Sequence, residues 1–243
     1  ATAALLCYRA TDGFWTAPNG PLTEGVDDLV ALVNSRRPRH FDACNALGGP
    51  AWSMVLRYPD GIRTIEGDDG GCGTFFVGPT EEAGAPRVWA TFLAALGAQR
   101  RAADPPGSTV RPTGCPARLE NAPLSVVAQP DRAAAATWCV PHGRRWVSAG
   151  RVSEVQLRVL RRAFRPPYDD TSLGGHRDCH GLPRTTYGLL SGRDAWGEPF
   201  AIPLFCDLSR IFPAGSPRAD FVVMTPAMRR LVARSVTHPA LRP

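Results

Sequence analysis

Hydrophobic and polar positions along this chain fall into two periodicities, one that suits strands and one that suits helices. The clearest strand signal is Ala51–Tyr58 and Ile62–Glu66, two β-rich runs around Pro59, Asp60 and Gly61. Asp-Gly between two such runs is the strongest short-range mark of a hairpin. Shorter β-like runs are Ala3–Arg9 and Phe14–Ala17 (turned at Asp12 and Gly13), Thr74–Gly78 and Asp220–Met224. Helical spacing predicts Thr23–Ser35, with Val26, Leu29, Val30 and Val33 on one stripe. Glu24, Asp27 and Asp28 lie in its first turn and suit the positive end of the helix dipole. Further helices are predicted over Thr91–Arg101, Ser153–Phe164 and Thr225–Ser235. In Ser153–Phe164 the apolar side is Leu157, Leu160 and Phe164, while Arg158, Arg161, Arg162 and Arg165 fall mostly outward.

The elements recur. Cys44 and Cys72 bracket the hairpin 28 residues apart, and Cys179 and Cys206 stand 27 apart around Thr185–Leu190, with Ser191 and Gly192 in the turn's place. Thr91 and Thr225 each follow the second cysteine by 19 residues, after an apolar run, where a hydroxyl would cap a helix. Upstream, Cys7 and Cys139 sit on β-like runs, Trp15 and Trp146 follow, and helix starts come at Thr23 and Ser153. The shared order predicts a tandem duplication of about 100 residues per copy, enough for a small domain. Residues 1–103 are expected as the first domain, 104–136 as a Pro-rich linker with an ordered middle at Cys115 and Leu124–Val127, and 137–243 as the second. Residues 3–101 and 137–236 should share one strand order. The fold class expected is α+β, each copy an antiparallel strand set with two helices.

Composition narrows the chemistry. All 28 basic residues are arginine, so no lysine serves as a phosphate-loop residue, a Schiff base or a general base. The formal charge of +6 is uneven: residues 1–104 carry 9 Arg against 12 acids, and residues 105–243 carry 19 Arg against 10 acids. Any polyanion should therefore meet the second copy, chiefly at Arg158, Arg161, Arg162 and Arg165. The blander account is arginine drift on a solvated surface. Seven cysteines without a C-x-x-C pair point to a disulfide framework instead of a zinc site. The frame pairs Cys44 with Cys72 and Cys179 with Cys206, each bond worth roughly 3.5 kcal/mol by loop entropy. Disulfides imply an oxidising compartment, hence an exported or cell-surface protein. No signal peptide is visible, and no window reaches the ~18–20 apolar residues of a membrane span.

Candidate sites are thin. His176, Cys179 and His180 resemble metal ligands, but Asn45 stands where His180 would recur, and Cys179 has a disulfide partner in the frame. Asp60, Glu66, Asp68 and Asp69 offer carboxylates for calcium without the EF-hand spacing. Gly67–Gly73 leads into a strand and so lacks the helix start that binds phosphate. His40, His142 and His238 leave a triad formally open without pointing to one. Trp15 and Trp146 recur in the frame, which favours packing over carbohydrate stacking. No metal, cofactor or nucleic acid is expected.

Leu6, Cys7, Tyr8, Cys44, Leu56–Gly61 and Cys72–Gly73 together resemble a group of uncharacterised actinobacterial secreted proteins and lipoproteins with tandem CP…LCxY…C…YPDG…CG repeats. The resemblance covers most of the first copy and, more loosely, the second, where YPDG is lost. It implies the fold and a cell-envelope setting, with a lipid anchor upstream as one form, but no activity. It makes Cys115-Pro116 the "CP" of the second copy, which implies a Cys115–Cys139 bridge and a free Cys7. The competing arrangement is Cys7–Cys115 with Cys139 free. The functional expectation is a binding or interaction protein without catalysis, for an anionic envelope polymer or another envelope protein. The alternatives are a secreted hydrolase and a structural or inhibitor domain.

Overall fold

The computed structural model describes residues 1–8, 16–38, 51–68, 71–107, 110–118, 122–165, 188–204, 208–211, 220–223, 228 and 230–231. It is an α+β structure with two antiparallel sheets and, among the described residues, three α-helices. Two compact units contain them. The first comprises Ala1–Pro105 and Ser125–Val127; the second comprises Pro106–Leu124 and the described residues from Ala128 onward.

In the first unit the order is β1 (Ala3–Tyr8), α1 (Val26–Asn34), β2 (Ala51–Tyr58), β3 (Gly61–Asp68), β4 (Thr74–Val77), β5 (Thr80–Ala83) and α2 (Ala85–Ala102). The sheet runs β1-β2-β3-β4-β5, every pair antiparallel. Strand alternation sends Ala4 and Leu6 of β1, and Trp52, Met54 and Leu56 of β2, to one face. There they meet Val26, Leu29 and Val33 of α1 and Val88, Trp89, Phe92, Leu93 and Leu96 of α2. The hairpin lies where the sequence predicts it: Tyr58 pairs with Gly61, and Pro59-Asp60 forms the turn. Gly67 pairs with Trp52, and a Cβ there would overlap the indole, so only glycine admits the tryptophan. Val126 and Val127 are fully buried in this same core.

Several expected boundaries shift. Helix α1 starts at Val26, not Thr23, because Gly25 takes a left-handed conformation and breaks the turn. The backbone N–H groups of Thr23 and Glu24 both donate to Gln99 Oε1 of α2, a cap supplied from 75 residues away. Helix α2 starts at Ala85, not Thr91, after left-handed Gly84 and with a proline in its first turn, where the missing N–H costs nothing. Thr91 is therefore a mid-helix residue and no cap. Its counterpart Thr225 lies outside the described residues, as do Trp15 and the Asp12-Gly13 turn, and Thr16 and Ala17 form no strand.

In the second unit the order is β6 (Ala133–His142), β7 (Arg145–Arg151), α3 (Glu154–Ala163), β8 (Gly188–Asp194), β9 (Pro199–Leu204), β10 (Leu208–Ile211) and β11 (Asp220–Val223). Its sheet runs β11-β10-β9-β8-β6-β7. Ser191 and Gly192 lie inside β8, not in a turn. Phe200 of β9 crosses Gly192 so closely that a Cβ would overlap its ring. The real β8–β9 turn is Asp194–Glu198. Helix α3 begins where expected: Ser153 Oγ accepts from Gln156 N–H and Gln156 Oε1 accepts from Ser153 N–H, a reciprocal cap.

The second sheet is covered on both faces, which explains the almost unbroken burial of β8 and β9. Ala136, Trp138, Leu190, Phe200, Ile202 and Leu204 pack with Leu157, Leu160 and Phe164 of α3. On the opposite face Cys139, Leu189 and Ala201 pack with Ala122, and with the partly buried Cys115, Leu124 and Trp146.

The two sheets share a strand order. Strands β1, β2, β3, β4 and β5 follow one another across the first sheet, as β6, β8, β9, β10 and β11 do across the second. Each has a helix between its first and second members of that series, α1 and α3. β7 occupies the remaining edge beside β6; beside β1, Leu22 makes two backbone hydrogen bonds with Ala4.

Candidate functional site

Cys115 and Cys139 are joined by a disulfide, the pairing that the resemblance implies. The bond fastens residues 110–116, which form no regular secondary structure, across the sheet face opposite α3. Polar contacts hold the same strap. Ser191 Oγ lies 2.9 Å from Thr113 Oγ1 and donates to the carbonyl of Gly114 at 3.1 Å. Beneath it Cys139, Leu189 and Ser191 are at most 1 % exposed.

The corresponding face of the first sheet differs. Alternation turns Leu5 and Cys7 of β1, Ser53 and Val55 of β2 and Phe76 of β4 away from the helices. Register aligns them: Leu5 pairs with Val55, Cys7 with Ser53, and Ser53, Glu66 and Phe76 continue one row across β3 and β4. Leu5 is 38 % and Phe76 43 % exposed, and Cys7 is a half-buried free thiol.

The remaining cysteines divide. Cys72 is disulfide-bonded. Cys44, Cys179 and Cys206 lie outside the described residues, and the Cys44–Cys72 and Cys179–Cys206 pairings with them.

The arginines of α3 separate into two roles. Arg158 and Arg162 are exposed at i and i+4 on one side of the helix, and Arg165 is exposed just past its C-cap, Phe164. Arg161 belongs elsewhere: its Nε donates to the Ala133 carbonyl at 2.7 Å and its guanidinium bridges Glu154 at 2.8 Å. That side chain ties α3 to the start of β6 and is no open anion ligand, a correction to the four-arginine patch.

One titratable group stands out. Asp194 Oδ2 accepts from Gln129 N–H at 2.8 Å, and Oδ1 from Trp196 N–H and Glu198 N–H at 2.9 Å each. The carboxylate thereby organises the β8–β9 turn. Burial pushes its pKa up to about 6; the neighbouring Glu198 adds to the rise, and the three N–H donors only partly oppose it. Sequence reading missed Asp194; its signal is Asp followed three residues on by Gly197, which takes a left-handed conformation.

Other sequence candidates do not converge. Asp60 is in the hairpin turn facing Arg63, the full length of β3 from Asp68, and Asp69 lies outside the described residues. His142 is exposed at the end of β6; His40, His176, His180 and His238 lie outside the described residues. Among the described residues no three His, Cys, Asp or Glu side chains group as metal ligands. No described helix is long and apolar enough to cross a membrane. Comparison with protein-family models, curated proteins and solved structures finds no match.

Proposed function

We propose that this chain is an exported, cell-envelope-associated binding protein without catalysis, made of two copies of one small disulfide-braced α+β unit, and that it holds an anionic polymer through α3. The observation that carries the binding is the exposure of Arg158 and Arg162 on one side of α3 and of Arg165 just past its end, within the half of the chain that holds 19 of the 28 arginines. The two-copy reading is supported by the common strand order and by Cys7 and Cys139 on equivalent strands. Export is compatible with the oxidised Cys72, Cys115 and Cys139 and with the likeness to actinobacterial secreted proteins.

The test is retention of the full chain on an immobilised acidic polymer across a salt gradient. Binding should vanish by roughly 1 M salt, where the screening length is about 3 Å. Replacing Arg158, Arg162 and Arg165 together by glutamine should move elution to clearly lower salt. Replacing Arg161 with methionine should move it less while lowering stability. Elution of the triple variant at the wild-type salt concentration would sink the reading.

A further inference from the structure

We propose that Asn19-Gly20 is a self-modifying site: the asparagine closes onto the glycine nitrogen to a succinimide, assisted by the buried guanidinium of Arg100, and reopens mainly to isoaspartate. The reaction consumes only water. It does not depend on the arginines of α3.

Four residues of the chain are asparagine, and only Asn19 is followed by glycine. A side-chain amide before glycine is the arrangement most open to this closure, because the next residue has no side chain to shield the attacking nitrogen. Asn19 and Gly20 are both exposed and lie in a bend outside the strands and helices. Nothing stands within 4 Å of where a Gly20 Cβ would be. Among the described residues no hydrogen bond engages the Gly20 N–H, so the nucleophile is uncovered.

The carbonyl of the same peptide bond is held from the protein side. Arg100, 1 % exposed in the last turn of α2, donates from Nη2 to the Asn19 carbonyl. Its neighbour Gln99 clamps the chain just downstream. Gln99 Nε2 donates to the Pro21 carbonyl at 3.2 Å, and Oε1 accepts from the Thr23 and Glu24 N–H groups at 2.7 and 2.9 Å. These contacts fix the Asn19 carbonyl against a cation before any bond changes. A donor already aimed at the place where charge develops lowers a barrier without reorganising.

Charge develops on that oxygen twice. As the Gly20 nitrogen gives its proton to hydroxide, negative charge spreads onto the Asn19 carbonyl oxygen, where Arg100 stabilises it. The nitrogen then attacks Asn19 Cγ. The N–Cγ bond forms, the Cγ–Nδ2 bond breaks, and ammonia leaves with a proton from water. Water next adds to a ring carbonyl. At the former main-chain carbonyl the oxyanion again faces Arg100, and this carbon releases the Gly20 nitrogen and becomes a carboxylate. The chain now runs through Cγ as isoaspartate, and a buried guanidinium has gained a counter-charge.

The full chain, incubated in neutral buffer, is compared with a synthetic peptide of residues 16–24. Ammonia release gives the rate, and peptide mapping with an isoaspartate methyltransferase gives the site and product. The folded chain should react at least roughly tenfold faster than the peptide, the low end of what a hydrogen bond to a charged group is worth. Its ratio of isoaspartate to aspartate should also be higher. Asn19→Gln should remove the signal, and unfolding in urea should bring the rate down to that of the peptide. Arg100→Met should do the same to rate and product ratio, whereas Gln99→Ala, which loosens the clamp and keeps the cation, should slow the reaction less. A merely structural role for Arg100 predicts the reverse, since a loosened bend closes more readily. A folded-chain rate or product ratio equal to the peptide's would overturn the proposal whether or not the Arg100 variant folds. So would a cooperatively melting Arg100→Met protein that reacts at or above the wild-type rate.

Discussion

The carboxylate of Asp194 accepts three backbone N–H bonds, yet its pKa rises from 3.8 to about 6. Desolvation outweighs the donors. Because the folded-state pKa lies above the unfolded one, the native state binds more protons between those values, and stability falls as pH rises through that window. The group's contribution is full below pH 3.8 and lost above about 6. Two pKa units correspond to a penalty on the order of 3 kcal/mol. Asp194→Asn should therefore flatten the stability profile between pH 4 and 7, measured by guanidinium unfolding. It should also cost some stability at every pH, since an amide nitrogen would face Gln129 N–H. Parallel profiles for the two proteins would rule out the raised pKa. Nothing local in the sequence marks this residue as buried, and one of the three N–H groups it accepts from, that of Gln129, lies 65 positions earlier.

At the scale of elements, legibility followed the range of the interactions. Helix α3 was readable because its start signal is local: Ser153 and Gln156 cap each other, and the apolar stripe begins at once. Ser153→Ala should cost about 1 kcal/mol, and Ser153→Asp should restore most of it. Equal denaturation midpoints for wild type and Ser153→Ala would show that tertiary packing alone sets this helix end. Helix α1 begins later than its sequence pattern predicts, and the N–H groups ahead of it are met by Gln99 on another helix. Helix α2 begins earlier than its sequence pattern predicts: Val88-Trp89-Ala90 has strand-like composition, while the decisive signals are Gly84 and Pro86. Strand β5 has no apolar run to betray it: Thr80–Ala83 reads TEEA and exists through its pairing with β4. Likewise Gly192 suggests a turn until Phe200 is seen lying over it.

At the scale of the whole molecule, the strap makes the second unit depend on its disulfide. Cys115 and Cys139 are 24 residues apart, and removing the bond by Cys115→Ser should cost about 3.5 kcal/mol by loop entropy. A loss below ~1 kcal/mol in denaturant titration would mean that Ser191 and the apolar contacts hold the strap unaided. The crossing at Ser125–Val127 has a different consequence, for biosynthesis. Val126 and Val127 belong to the first unit's core, although the strap residues up to Leu124 belong to the second. A chain leaving the ribosome cannot complete its first core when α2 emerges; it must wait for about two dozen further residues. For the same reason no single cut yields two whole pieces. Severing the polypeptide after Pro105 strips two valines from one half and leaves them bare on the other.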